Sequence, residues 1–453
     1  MPHSKKLDNN GYLTLLVNNN IITVWQSQAD AIKKMHKGCV LNGGVGTGKS
    51  RTGLAYFYTL NGGEIYISNT AQDGSTYITD FNGVVIKNPK PQTLKNEFIK
   101  YHKLILITTP KKRDSGEWEK ELNLFGLSED PEKSKYPIEV YVDSWYNIAN
   151  YSILSDCCFI FDEQKAIGSG KFANMFIQIA LKNFWYMLTA TPGDEWIEYY
   201  PLFRANNFYH TKTQFLREHV VFNQYVNYPC ITKYINVDIL EDYKSRIIVE
   251  MKSNKNTTRN IEYMYLPYDK KIFNYIKTER KNPFDDNKGI KTPGAYISAL
   301  RRCCRQSEYA KQALINIYKK HKKIIVFYRF NYELEDIIDV CKKHQLVYAQ
   351  LNGSSHDDIP SGDSWIYIVN YGSGAEAWNC TSTNAMILWD MPSSYKLCEQ
   401  SLGRIDRSDT PYKELYYYIF ITDSDVDKRS KKALELRKNF NESGYYKNSI
   451  KNV

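Results

Sequence analysis

The stretch CVLNGGVGTGKS (39–50), running straight into RTGLAYFY (51–58), decides the fold of this 453-residue chain. An apolar run of strand character ends in glycines, and a helical run begins at once. Gly43 and Gly48-Lys49-Ser50 stand at the G-x-x-x-x-G-K-S spacing. With 24 glycines among 453 residues, chance yields that pattern on the order of 0.02 times per chain. Glycines at 43, 46 and 48 let successive backbone N–H groups around Thr47 turn toward phosphate oxygens. Lys49 then reaches the β- and γ-oxygens, and the Ser50 hydroxyl is a Mg²⁺ ligand. A nucleotide is the expected ligand.

Outward from this loop, short apolar runs alternate with helical stretches, the pattern of parallel α/β architecture. Strands are expected at 39–43, 104–109, 138–143, 157–162 and 186–190, and again at 323–328, 365–370, 385–390 and 414–420. Their near-continuous apolar character suits strands buried on both faces. Residues 62–90 read as a small antiparallel insertion, with turns at Asn61-Gly62-Gly63, Asp73-Gly74 and Asn82-Gly83. SKKALELRKNF (430–440) reads as a solvated closing helix. The expected division is a first α/β domain over 1–210, a connecting, mostly helical segment over 211–310, and a second α/β domain over 311–453.

Composition narrows the function classes. Apolar residues are 42% and charged residues 24%, a globular balance. No run approaches the ~18 apolar residues of a membrane span, and MPHSKKLDNN has no apolar segment behind its lysines, so a cytoplasmic protein is expected. Nine cysteines without paired C-x-x-C spacing argue against a zinc site and a disulfide framework. The net charge of +10 suits a polyanionic partner.

A second chemical element is FIFDEQK (159–165). Asp162, at the end of an apolar run, is placed to hold Mg²⁺, and Glu163 to orient and deprotonate an attacking water. LTATP (188–192) puts Thr189 and Thr191 at the end of the next strand, where hydroxyls can couple the acidic pair to the other half. In that half, Gln400, Arg404 and Arg407 are expected on one helix face, with Gly403 allowing close approach. Two such arginines can stabilise charge on a γ-phosphoryl group.

Taken in order, these elements resemble the core of superfamily-two helicases, and within it the Swi/Snf-type translocases, particularly compact bacteriophage-encoded versions. The resemblance covers nearly the whole chain. It is carried by Ser27-Gln28, similar to the adenine-reading glutamine motif, then the P-loop, TTPKKRDSGEWEKEL (108–122), VDSWYNI (142–148), DEQK and LTATP. LRRCCRQS (300–307), IIVFYRF (324–330), LNGS (351–354), GSGAEAWN (372–379) and QSLGRIDR (400–407) complete the set. It implies two RecA-like P-loop NTPase domains, each a mostly parallel sheet flanked by helices. It also implies nucleic-acid-stimulated ATP hydrolysis with Mg²⁺ and movement along DNA, in phage DNA replication or recombination with replication proteins as partners. Contacts to the tracking strand would be mainly to phosphates, from Lys111, Lys112, Ser144, Asn352 and Ser354. Trp118 and Trp145 read as packing residues, and Tyr416–Tyr418 as part of a strand.

Three departures from the family pattern stand out: Lys165 where histidine is usual, Ala377 where glycine is usual, and a loop, SSHDDIPSGDS (354–364), where a crossover helix is usual. Two other readings remain open: a motor subunit of a restriction-type system, and a degenerate module that binds nucleic acid without hydrolysing ATP.

Overall fold

A parallel strand pair needs a long crossover, so apolar runs separated by helices and loops assemble into parallel sheets with both faces covered. The chain does this twice. In a computed structural model, described over residues 21–451 apart from 45, 72–74, 91, 164–169, 194, 224–228, 230, 253–256, 375–377, 408–409 and 437, it divides into Met1–Asn254 and Lys255–Val453.

The first unit is built on six parallel strands: β1 (Val40–Gly43), β2 (Lys103–Thr108), β3 (Glu139–Ser144), β4 (Cys158–Asp162), β5 (Phe184–Thr189) and β6 (Ile248–Met251), in the order β6-β1-β5-β4-β2-β3. Alternation puts Leu104, Leu106 and Ile160 in one core and Ile105, Ile107 and Phe161 in another, one on each face. The 62–90 segment forms an antiparallel hairpin, Tyr66–Thr70 with Thr76–Thr79, joined in parallel by Thr23–Trp25. Its expected Asp73-Gly74 turn lies outside the described residues.

The second unit repeats the plan with β7 (Thr258–Tyr265), β8 (Lys323–Tyr328), β9 (Tyr348–Leu351), β10 (Trp365–Asn370), β11 (Ala385–Leu388) and β12 (Glu414–Ile421), ordered β7-β12-β11-β8-β10-β9, again all parallel. The two-sheet α/β class is therefore as expected. The segment 211–310 is shared between the units: it supplies edge strand β6 to one sheet and edge strand β7 to the other. No helix joins β9 to β10; residues 352–364 make the crossover as an irregular loop with a bridge between Leu351 and His356.

Eight cysteines are described, all reduced and buried, and burial pushes the thiols of Cys39, Cys304 and Cys398 up to about 12. No described helix is long and apolar enough to cross a membrane.

The LRRCCR stretch lies in a helix, Pro293–Arg305, whose Arg301 and Arg305 are wholly buried. Arg305 forms a two-pronged bond to Asp427, both arms 2.8 Å, and Arg301 is paired with Asp390 and donates to Ser430. Beside them, burial and the neighbouring Asp390 charge raise the Glu333 carboxyl well above the ordinary range, against two backbone N–H donors and Arg305. Above the ordinary carboxylate value the folded state thus holds a proton that the unfolded chain has released, so this residue lowers stability as pH rises through its raised value. Urea midpoints from about pH 6 to about pH 9 should fall less steeply for Glu333→Gln than for the wild type; identical slopes would mean an ordinary carboxylate.

Candidate nucleotide and metal site

Because the six strands of the first sheet run parallel, their carboxyl ends lie along one edge, where ligands of open α/β sheets bind. Gly43, Asp162 and Thr189 all stand there, and register fixes their spacing: Asn42 pairs with Thr189 and Leu188 with Asp162. Strand β5 thus separates the P-loop strand from the acidic one and places Thr189 between them.

The loop's shape depends on its glycines. Gly46 and Gly48 adopt positive φ, +73° and +80°, the left-handed region that side chains disfavour. A Cβ on Gly48 would lie 2.4 Å from Gln28 Nε2. Gln28, on a helix over Gln26–Ile32, is buried against the loop and donates to the carbonyls of Gly48 (3.3 Å) and Thr47 (3.5 Å), while its Oε1 accepts from Trp25 N–H. Thr47 Oγ1 donates back to Gly44 O at 2.9 Å. Lys49 opens the helix Lys49–Leu60, and its ammonium donates to the carbonyls of Gly43 (2.7 Å) and Gly44 (2.8 Å).

Asp162 is 1% exposed, and a buried carboxylate requires several donors. Its Oδ2 receives three: Thr108 Oγ1 at 2.8 Å, Trp118 Nε1 at 3.1 Å and Lys112 Nζ at 2.7 Å. Lys112 Nζ also donates to Ser50 Oγ at 3.2 Å and lies 5.0 Å from the centre of the Trp118 ring. Burial draws the Lys112 proton affinity down, but Asp162, with Glu163 and Glu117 behind it, outweighs burial, and the net shift is upward. A firmly protonated ammonium therefore bridges the two expected metal ligands.

Glu163 has φ +62°, a strained value for a side-chain-bearing residue, with its N–H held by Leu188 O at 2.9 Å. Its Oε2 is buried and lacks a hydrogen-bond partner among the described residues, as does Thr191 Oγ1. Thr191 N–H donates to Thr189 Oγ1 at 3.1 Å. Lys165 and Ala377 lie outside the described residues.

In the second unit, the helix expected to carry Gln400, Arg404 and Arg407 ends early. It spans Tyr395–Leu402 with Gly403 as its C-cap, so Gln400 is helical while Arg404 and Arg407 lie in the turn beyond. Arg404 donates to Gln400 O (3.1 Å) and Trp378 O (2.7 Å). The turn is pinned by Asp406, which accepts from Arg259 Nε and Thr257 Oγ1, both at 2.7 Å. Because Arg259 lies on β7, an edge strand holds the arginine turn.

Of the expected strand-contact residues, Lys111 is exposed on the short helix Pro110–Asp114, whereas Lys112 faces Asp162 and Ser144 is buried. Asn352 is buried and organises its loop, its Oδ1 accepting from Ser354 Oγ (2.9 Å) and N–H (2.9 Å) and Ser355 N–H (2.8 Å). Trp118 and Trp145 are core residues, as expected. The sequence reading missed Thr108, Lys112 and Trp118 as partners of Asp162. A signal existed for Thr108: it ends the strand neighbouring β4, where Ile107 pairs with Phe161.

Neither a protein-family model nor a curated protein matches the sequence. Among solved structures, the chain is similar to the SWI2/SNF2 ATPase core of Sulfolobus solfataricus in complex with dsDNA, at 16% identity and a TM-score of 0.36, over 92% of this chain and 91% of that one. The assignment of fold class rests on the two parallel sheets themselves.

Trp118→Phe removes one donor from a buried carboxylate and part of the indole from the core. Together these should lower stability by about 2–4 kcal/mol in urea unfolding followed by circular dichroism; a smaller loss would show that the remaining donors suffice.

Proposed function

We propose that this protein is an ATP-driven motor that moves along DNA, with the first unit holding Mg²⁺·ATP. The observation that carries the reading is the convergence of Lys49, Ser50, Asp162, Glu163 and Thr189 on one sheet edge, from the ends of β4 and β5 and from the start of the helix that follows the β1 loop. Gln28 steadies the loop from behind and, by resemblance, reads adenine. The Asp162 and Ser50 oxygens suit a magnesium ion, since both already approach one cation, the Lys112 ammonium. Asp162 and Ser50 would hold the ion, which would supply positive charge against the β- and γ-phosphate oxygens.

Glu163 is the proposed base. Its buried Oε2, without a hydrogen-bond partner among the described residues, is an acceptor suited to a water in line with the γ-phosphorus. Thr189 and Thr191 are the proposed couplers. Arg404 and Arg407, with Gln400 beside them, are the proposed arginine fingers, which requires ATP to draw the two units together and Arg404 to leave its carbonyl partners. Grip on the track is sequence-independent and mainly to phosphates, with exposed Lys111 in the first unit and the Asn352–Ser354 loop in the second as the proposed contacts. A place in phage DNA replication or recombination is supported by the sequence resemblance alone.

ATP hydrolysis should be stimulated by duplex DNA more than by single strands or RNA. Lys49→Ala should abolish it through lost phosphate binding. Glu163→Gln should cut kcat by about 10²-fold or more while still binding nucleotide. Stimulation by single strands alone would indicate unwinding, and no hydrolysis under any condition would leave only a binding module.

A further inference from the structure

The motor reading uses Asp162, Ser50 and Glu163 but gives no task to the lysine that lies among them. Lys112 comes from outside the P-loop and the acidic strand, on the single-turn helix Pro110–Asp114 that follows β2. Its side chain is 21% exposed and stands against an almost wholly buried carboxylate. Trp118 does two things there: its ring faces the ammonium and its N–H donates to the same Asp162 oxygen. We infer that Lys112 is a built-in counter-cation that holds the position between Asp162 and Ser50 until a divalent cation displaces it.

The inference rests on reading this edge as a Mg²⁺·ATP site, and the chemistry follows from crowding. A magnesium ion binds carboxylate oxygen at ~2.0–2.1 Å, and an ammonium 2.7 Å from that same oxygen cannot remain beside it, for reasons of both volume and like charge. Lysine suits the exchange because a compact charge on a four-carbon stem leaves by rotamer change alone. With Lys112 in place, the buried carboxylate is never an uncompensated charge, so Asp162 can be held ready without its metal. The cost is that metal entry must break a charge-assisted bond. Affinity for the metal is thereby lowered, and anything that draws Lys112 away raises it.

The test uses the full-length chain and Mn²⁺ as probe. Lys112→Met keeps the stem against Trp118 and removes the charge; Lys112→Arg keeps the charge. Mn²⁺ affinity read by electron paramagnetic resonance without nucleotide should rise about tenfold in Lys112→Met, the scale of one charge-assisted bond, and stay near wild type in Lys112→Arg. Unchanged or weaker Mn²⁺ binding by a folded Lys112→Met protein would overturn the inference and leave Lys112 as the structural partner of Asp162. A second measurement needs no variant: amine-selective labelling of wild-type Lys112, read by mass spectrometry, should quicken when Mn²⁺ is added, and a constant rate would also overturn it. Binding of fluorescent ADP in EDTA, lost in Lys49→Ala, tests the nucleotide reading separately. Its absence in the wild type would defeat that reading whatever Mn²⁺ does.

Discussion

The first unit is organised around one constraint: Asp162 is a carboxylate with almost no access to water. Such a group is tolerable only with strong donors on it, and those come from Thr108 at the end of β2, from Trp118 on the helix Glu117–Leu124, and from Lys112. Thr108, Lys112 and Trp118 all fall within 108–122, so that segment is fastened to the acidic strand through one oxygen atom. The P-loop is held from another direction, through Gln28. Charge and geometry at the sheet edge are therefore set by side chains that would not themselves touch a phosphate.

The second unit solves a similar problem with more charge. Arg301, Arg305, Asp390, Asp427 and Glu333 are all buried, and the two arginines join the Pro293–Arg305 helix to the turn after β11 and to the helix Asp425–Glu435 that follows β12. Bidentate pairing joins Arg305 to Asp427, whereas burial, together with the nearby Asp390 charge, pushes the Glu333 carboxyl up. The arginine turn after Leu402 has its own clamp in Asp406 and Arg259. Its two candidate fingers thus lie on a segment fixed by an ion pair, with Arg404 folded back onto the Gln400 and Trp378 carbonyls.

Much of this was legible beforehand. The glycine-lysine-serine loop, the two alternating α/β halves and the acidic strand end follow from period and spacing, because strands buried on both faces announce themselves as apolar runs. What escaped reading was long-range. Strand β6, IVEM, is too short to separate from its helical surroundings, and only its pairing with β1 defines it. Strand β7, TRNIEYMY, looks polar because it lies at a sheet edge. The helix through QSLGRIDR stops at Leu402, and beyond it Asp406 is held by Arg259, a partner 147 residues earlier. Lys112 read as one more basic residue, since a lysine aimed at phosphate and one aimed at a carboxylate look alike in sequence.

The buried cysteines have a practical consequence. A thiol reacts as its thiolate; in the folded chain all of these groups are covered, and burial pushes the thiols of Cys39, Cys304 and Cys398 up to about 12. Cys39, Cys157 and Cys158 lie in the first unit, and Cys303, Cys304, Cys341, Cys380 and Cys398 in the second. Each unit therefore carries its own set of silent reporters. Alkylation at any of these positions would register a transient opening of the unit that houses it, so the native sequence can time the breathing of its two halves separately.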